Sequence, residues 1–281
     1  MIELLRYPFL INALVTGSAV AVAAAASGYF MVCRRMTFAG HALPNIGFAG
    51  AAGAVLLGIE PVYGLFVITV AAAVAMGLFG RQLRDRDVIV GVIMTFALGL
   101  GFLFLALYSG YAQRVYGILF GSILGISAHA ARLSAFAAAA SMAALAILYR
   151  PLLFSTFDPE LAEARGVPVS VLSVLFLALL ALIVSLAVQV MGALLLFTLL
   201  VGPAATATRI VKNPPLTIAL SAALGLLFVW LGILAAAVSG TLPVSFCIAT
   251  LSFIVYLPVR LLLPSSGRSE REGSGLSRGT A

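Results

Sequence analysis

The sequence predicts an all-α protein that crosses a membrane eight or nine times. Of its 281 residues, 63% are hydrophobic and only 9% are charged, which lies far outside the range of soluble proteins. A helix needs about 20 apolar residues to span the hydrocarbon core of a membrane, and charge-free segments of that length follow one another along this chain. The composition therefore leaves little chain for a soluble catalytic domain.

Five charge-free segments in the first part of the chain each have about the length of one crossing. They are residues 7–33, 36–59, 61–80, 88–113 and 133–149. Two later segments are each about twice as long as a membrane is thick, so they must turn. Residues 169–208 are predicted to turn at 189–192, and residues 214–259 at the Gly and Pro of 239–243. The total is nine crossings, or eight if the marginal first segment does not cross.

Basic residues gather in five clusters, and two predicted crossings separate each cluster from the next. The clusters hold thirteen of the sixteen Lys and Arg residues: Arg34 and Arg35; Arg81, Arg84 and Arg86; Arg150 and Arg165; Arg209 and Lys212; and Arg260, Arg268, Arg271 and Arg278. Since cytoplasmic loops retain positive charge, all five are predicted on the cytoplasmic side of the cell membrane. The N-terminus then lies outside and the C-terminus in the cytoplasm. The net charge of +7 is assigned to this orientation and not to nucleic-acid binding.

A single folded domain is predicted. Residues 1–263 form the transmembrane domain, and residues 264–281 are predicted to be a disordered cytoplasmic tail, because they offer almost nothing to bury. Residues 115–127 are apolar but too short to cross, which indicates either a short helix at the outer surface or a buried loop. Cys33 and Cys247 lie in or beside apolar segments and are expected to be packing residues.

His41 is the one imidazole within a predicted span, and Asn45 follows it four residues later on the same helix face. Pro44 lies between them and lacks the N–H that would bind the carbonyl of Gly40. Such a segment can present an imidazole, an amide oxygen and a free carbonyl to one small volume, which makes it a candidate site for a permeating ligand. The alternative is a histidine that hydrogen-bonds a neighbouring helix, with the glycines allowing close packing.

A short helix between two spans is predicted from residue types that favour helix ends. An N-cap Asp is followed by a Pro, an acidic first turn, a basic last turn and a terminal Gly. In order, these residues are Asp158, Pro159, Glu160, Arg165 and Gly166. A helix of two turns has little core of its own, so it is either a docking site for a partner or a plain connector.

A third segment places Gly202 and Pro203 within a predicted span. Pro203 removes the usual partner of the Leu199 carbonyl, and the small residues that follow allow neighbouring helices to come close. The segment is either a helix break along a pathway or a kinked packing contact.

In this order, the three segments resemble the membrane permease subunit of the ABC importers for divalent transition metals, the zinc and manganese permease family. The most specific parts are FDPELAEARGVPV at 157–169 and LLVGPAATA at 199–207. The RRM at 34–36 and the YGILFGSILGIS at 116–127 are also similar. The resemblance covers residues 1–263 and implies the fold of an ABC importer permease.

The resemblance implies a division of labour among several chains. Two copies of this chain would form the pathway within the membrane lipid, an ABC ATPase subunit would bind the short helix of each, and an extracytoplasmic metal-binding protein would deliver the ion. The chain has no GxxxxGK[ST] phosphate loop, so ATP hydrolysis is assigned to the partner and this chain is not expected to be an enzyme. No cofactor bound by this chain and no nucleic-acid partner are expected.

One motif departs from the family pattern. Members typically carry an Asp and a His four residues apart, in a pattern like GDALSHA, as ligands of the metal in transit. Here the matching stretch is GHALPNI, so His41 stands at the Asp position and Asn45 at the His position. The pair keeps a nitrogen and an oxygen ligand but loses the negative charge. Imidazole suits zinc and carboxylate suits manganese, so zinc is favoured as the cargo, with manganese or iron as alternatives.

Two other classes of transporter stay open. A permease for a metal chelate, of the siderophore or cobalamin type, would be expected to have a longer chain with ten spans. A secondary transporter would be expected to show an internal repeat and an ion-coupling carboxylate within the membrane. In this sequence all nine acidic residues lie in predicted loops or at the ends of spans.

Overall fold

The structure is a computed structural model that describes residues 8–80, 86–108 and 128–263. These residues form ten helices and no strand: α1 (Pro8–Cys33), α2 (Thr37–Leu56), α3 (Pro61–Phe79), α4 (Arg86–Leu107), α5 (Ala128–Phe157), α6 (Pro159–Ala164), α7 (Val169–Met191), α8 (Ala193–Ile210), α9 (Pro214–Ser239) and α10 (Val244–Leu262). The all-α prediction is confirmed. The predicted outer segment at 115–127 and the predicted tail at 264–281 lie outside the described residues.

Within the described ranges, seven helices are long and apolar enough to cross a membrane. They are α1, α3, α4, α5, α7, α9 and α10. Large apolar side chains point away from the bundle, among them Phe96, which is 68% exposed, and Ile147, which is 80% exposed. Such contiguous apolar exposure marks a surface that contacts lipid. With α2 and α8, the described residues contain nine long helices, which agrees with the predicted eight to nine crossings.

The turns between paired helices lie where glycine and proline predicted them. Gly192 alone separates α7 from α8, at φ +82°. Gly240 follows α9 at φ +66°, and α10 begins directly after Pro243. Glycine adopts a positive φ without steric cost, which is why the chain can reverse here within a few residues. The predicted turns at 189–192 and 239–243 are confirmed.

α5 is longer than the predicted segment at 133–149. It extends over Ala128–Phe157 and continues through Arg150 and Pro151. The predicted segment ended before Arg150, the first charged residue. A helix that continues beyond the hydrocarbon region can carry charged residues, because they lie in water. The helix ends only where Asp158 begins the next one.

α1 and α7 are the most buried of the seven membrane helices. α1 contacts α5, α7, α8 and α9, and α7 also packs against α3. α2 lies against α3, α4 and α8. The last turns of α1 and α5 meet the first turn of α7 at one side of the bundle, which we call the arginine end and define by Arg34, Phe157 and Val169.

Two helix crossings are close because glycine leaves room for the neighbouring backbone. A Cβ atom on Gly28 of α1 would collide with the carbonyl of Leu200 on α8. Gly50 of α2 and Gly64 of α3 face each other in the same way, each against the carbonyl oxygen of the other. Helices in lipid associate through such close packing because burial of apolar surface contributes little between them.

Candidate functional site

His41 lies in the second turn of α2, about 6 Å along the helix axis from its first residue. It is therefore closer to the arginine end than to the middle of the bundle. The side chain is half-buried, and its ring meets the ring of Phe197 on α8 edge-on, with centroids 5.0 Å apart and an interplanar angle of 71°. This contact joins the predicted site on α2 to the helix that carries Gly202 and Pro203.

Asn45 is bonded within its own helix. Its Nδ2 atom donates to the carbonyl oxygen of His41 over 2.8 Å, which leaves the amide oxygen Oδ1 for another partner. Pro44 is buried, and α2 continues through it. Because Pro44 has no N–H, the carbonyl of Gly40 lacks its usual donor in the helix. The geometry is thus compatible with an imidazole nitrogen and an amide oxygen as the two groups offered by this turn.

A complete metal-binding shell is not found in the part of the chain that the structure describes. Over residues 8–80, 86–108 and 128–263, no three His, Cys, Asp or Glu side chains are close enough to hold a metal ion together. His41 and Asn45 stay a prediction for an ion in transit.

The short helix predicted at 158–166 is present as α6. The Oδ1 atom of Asp158 accepts a hydrogen bond from the N–H of Leu161 over 3.0 Å, and Pro159 is the first helical residue. The helix is followed by Gly166 at φ +81°, a conformation that side chains with a Cβ rarely adopt. The end signals read from the sequence therefore correspond to the observed ends of the helix.

α6 exposes nearly all of its residues. Ala162 is its one buried residue, and Leu161 is 43% exposed. The charged residues around Leu161 are also exposed: Glu160, Glu163 and Arg165. An apolar side chain ringed by charged ones, on a helix that projects from the arginine end, is typical of a surface that binds another protein.

Arg34 connects three helices beside α6, and the sequence analysis did not predict this contact. Its Nη1 atom donates to Ser155 Oγ over 2.9 Å and to Thr156 Oγ1 over 3.3 Å, both on α5. Its Nη2 atom donates to Ser173 Oγ on α7 over 2.6 Å. The guanidinium carbon also lies 6.0 Å from the ring centroid of Phe176. One side chain therefore holds the ends of α1, α5 and α7 together.

The hydroxyl groups around Arg34 are oriented to accept its hydrogen bonds. Ser155 and Thr156 donate their own protons to the carbonyl of Leu152, and Ser173 donates to a carbonyl of its own helix. Their oxygen lone pairs are thus left for the guanidinium. Ser155 and Ser173 are only 4% and 7% exposed, and hydrogen bonds from a charged donor are stronger where water is excluded.

A cavity of about 370 Å³ opens beside Arg34. Its lining includes Arg35, Pro159, Glu163 and Ser170, so it lies between the end of α1 and the surface of α6. At this end of the bundle the Arg34 hydrogen bonds therefore link α1 to α5 and α7 beside an open space.

A three-residue turn, Arg34 to Met36, joins α1 to α2. The N–H of Met36 donates to the carbonyl of Met31 over 2.9 Å, and the N–H of Arg35 donates to the carbonyl of Val32 over 3.1 Å. This is the Schellman pattern of a helix C-terminus, in which Arg35 takes the left-handed position at φ +54° that glycine usually occupies. The turn is short and closed by hydrogen bonds, so the end of α1 and the start of α2 are held in a fixed relation.

The third predicted segment lies within α8, which continues through the buried Pro203. A Cβ atom on Gly202 would collide with Ser252 Oγ on α10. Thr206 Oγ1 donates to the carbonyl of Gly202 over 2.7 Å. These contacts show close packing of α8 against α10, and a part for Gly202 and Pro203 in a pathway stays a prediction.

Comparisons with known proteins agree with this architecture. Residues 6–262 match the family described as the ABC 3 transport family. The manganese transport system membrane protein MntC of Halalkalibacterium halodurans is 30% identical over 232 residues, which cover 82% of this chain and 80% of that protein. The high-affinity zinc uptake system membrane protein ZnuB of Haemophilus influenzae is 29% identical over 209 residues, which cover 74% of this chain and 80% of that protein.

A solved structure has the same arrangement of helices. PsaBC from Streptococcus pneumoniae, in complex with a Fab, matches with a TM-score of 0.82 and 27% identity. The match covers 97% of this chain and 100% of that chain. The helix bundle described above is therefore shared with it over nearly its whole length.

Proposed function

Since the chain belongs to the ABC 3 transport family, we propose that it is the membrane permease of an ATP-driven importer of divalent transition-metal ions. The observation that carries this proposal is the match of residues 6–262 to that family, which spans almost the whole bundle. Relatives named for manganese and for zinc transport support a metal ion as the cargo. In this proposal two copies of the chain line the pathway, and an extracytoplasmic metal-binding protein delivers the ion.

The test is uptake into proteoliposomes that contain this chain together with its ATPase and the binding protein. ATP-dependent accumulation of radiolabelled Zn²⁺ or Mn²⁺ is expected. Accumulation of a ferric siderophore or of cobalamin, with no uptake of the free ions, would contradict the proposal in favour of a chelate permease. Uptake without ATP, driven by an ion gradient alone, would favour a secondary transporter.

We propose that the ATPase binds α6. The exposed surface around Leu161 supports this, and so does the exposure of the helix as a whole, in which Ala162 is the one buried residue. A helix that projects into water between two membrane helices can follow a movement of its partner and transmit it as a rigid-body displacement.

Replacing Gly166 with valine is expected to weaken binding of the ATPase and to reduce uptake. A Cβ atom at Gly166 would meet nothing within 4 Å, so the substitution acts through the backbone, at φ +81°. The left-handed conformation costs a residue with a Cβ about 1–2 kcal/mol, which is enough to shift the C-terminal end of α6. The expected loss of ATPase affinity is about tenfold, measured by titrating the purified permease with the ATPase.

Gly58 offers the matched control. It also has a positive φ, +71°, and open space around its Cβ position, but it lies between α2 and α3, away from α6. Gly58→Val should therefore impose the same strain and leave ATPase binding unchanged. Normal ATPase binding and uptake by Gly166→Val would show that α6 is a connector only.

We propose that the arginine end faces the cytoplasm and that the C-terminus lies there. The basic clusters support this orientation, because positive residues are retained on the cytoplasmic side. Ala164 on α6 and Thr241 after α9 are both exposed and lie at opposite ends of the bundle. With Cys33 and Cys247 replaced and the ATPase not expressed, a cysteine at Thr241 should react with an impermeant maleimide in intact cells, and a cysteine at Ala164 only after permeabilisation. The reverse pattern would invert the orientation.

We propose that the ion passes His41 and Asn45 at a transient site, with zinc favoured over manganese. The half-buried imidazole beside Phe197 and the free amide oxygen of Asn45 support this. A neutral nitrogen and oxygen pair binds an ion weakly, which suits transport, because an ion held too tightly would not leave.

A further inference from the structure

We infer that Arg34 is a positioning residue that makes α1 and α2 move with α6. This inference rests on the proposed function, in which the ATPase binds α6. Nothing in the sequence pattern around Arg34 indicates such a role, because its partners lie 121 to 139 residues away along the chain.

The acceptors of Arg34 flank α6 on both sides. Ser155 and Thr156 lie in the last turn of α5, three and two residues, respectively, before the N-cap Asp158. Ser173 lies in the first turns of α7, which begins soon after α6 ends. A displacement of α6 is therefore expected to move the hydroxyl groups that Arg34 contacts.

Arg34 then passes this displacement to α2. Phe30 of α1 also contacts Tyr149 on α5 and Phe176 on α7, and the Arg34 hydrogen bonds lie beyond these ring contacts, at the end of α1 that borders the cavity and α6. The turn from Arg34 to Met36 is closed by backbone hydrogen bonds and leads directly into α2. His41 follows in the second turn of that helix. A direct path for a movement received at α6 thus leads through the Arg34 side chain and this closed turn to the candidate transport site.

The residue type fits this role. The planar guanidinium presents several N–H donors in a fixed fork, so a single arginine can bond hydroxyl groups on two helices at once. Lysine has the same charge on a flexible stem and cannot reproduce the fork. Arg34→Lys is therefore expected to behave more like Arg34→Gln than like the unchanged protein. If the positive charge alone mattered, Arg34→Lys would instead behave like the unchanged protein.

The experiment measures ions imported per ATP hydrolysed by the full transporter in proteoliposomes. Arg34→Gln and Arg34→Lys are expected to keep basal ATP hydrolysis and to lower this ratio by at least about tenfold, because the fork that bonds hydroxyl groups on two helices at once is lost. The double variant Ser155→Ala with Ser173→Ala removes acceptors and leaves Arg34 in place, and it should lower the ratio in the same direction. Arg35→Gln, on the same turn and exposed, is the matched control for charge and should keep the ratio.

The outcomes separate this inference from the proposed function. If the unchanged transporter imports no ion with ATP, the proposed function is wrong. If the unchanged transporter imports ions and the Arg34 variants import as many ions per ATP hydrolysed, only the role of Arg34 is wrong. A parallel fall in ATP hydrolysis and uptake, at an unchanged ratio, would show a structural role and would also overturn the inference. If the Arg34 variants do not assemble, the ratio of the Ser155 and Ser173 double variant decides in the same way.

Discussion

Replacing His41 with alanine is expected to lower zinc uptake by at least about 10- to 100-fold, the range seen when supporting groups of metal sites are removed. The imidazole is the one strong ligand that this turn of α2 offers, because the amide nitrogen of Asn45 is bonded to the backbone of its own helix. The side chain is only half-buried, so its loss should leave assembly and basal ATP hydrolysis intact. Radiolabelled Zn²⁺ uptake and ATP hydrolysis, measured on the same proteoliposomes, check both parts.

His41→Asp and Phe197→Leu separate ligation from packing. His41→Asp restores an oxygen ligand with negative charge and is expected to keep transport while shifting preference from zinc towards manganese. Phe197→Leu removes the ring that meets the imidazole edge-on but leaves the imidazole, so most zinc uptake should persist. Full zinc uptake by His41→Ala would reduce His41 to a packing residue, and a loss in Phe197→Leu equal to that in His41→Ala would assign the effect to packing.

Replacing Gly28 with valine is expected to destabilise the bundle by about 3 kcal/mol, the upper end of the usual cost of overpacking. The added Cβ would collide with the carbonyl of Leu200, which is backbone inside α8 and cannot rotate away as a side chain can. α1 would have to separate from α8 along its last turns, close to the turn that carries Arg34. The expected result is a lower yield of monodisperse protein in detergent and a lower midpoint of thermal unfolding.

Gly99→Val is the matched control for this substitution. Gly99 lies in α4, is exposed, and has nothing within 4 Å of its Cβ position. Gly99→Val changes the helix propensity by the same amount but causes no collision. Its midpoint of thermal unfolding should therefore stay close to that of the unchanged protein. Equal midpoints for Gly28→Val and Gly99→Val would show that α1 and α8 are not in the close contact described here.

The helix ends were predictable because a membrane leaves the backbone few alternatives. Within the hydrocarbon region each segment must be helical, so its ends coincide with charges or with residues that break helices. Gly192 and Gly240 show this, since each supplies a positive φ at a predicted turn. The end of α5 was not predictable in the same way, because beyond Arg150 the helix continues in water, where charge no longer marks its end.

The contacts that define the candidate site were less predictable. The residue types at the ends of α6 predicted this helix correctly. Its capping hydrogen bond, from the N–H of Leu161 to Asp158, joins residues only three positions apart in the sequence. The contact of His41 with Phe197 and the bonds of Arg34 depend on which helices are neighbours, and a charge-free segment contains almost no information about that. Seven helices with similar composition can be arranged in many ways, and only the structure shows which faces meet.

α2 is shielded from the acyl chains by the helices around it. Thirteen of its 20 residues are buried, and α3 and α4 lie against it. A change in bilayer thickness acts by hydrophobic mismatch on helices that face lipid, such as α4 and α10, which are far less buried than α1 or α7. The helix that carries His41 is therefore insulated from that mismatch, and the candidate site should keep its geometry in membranes of different thickness.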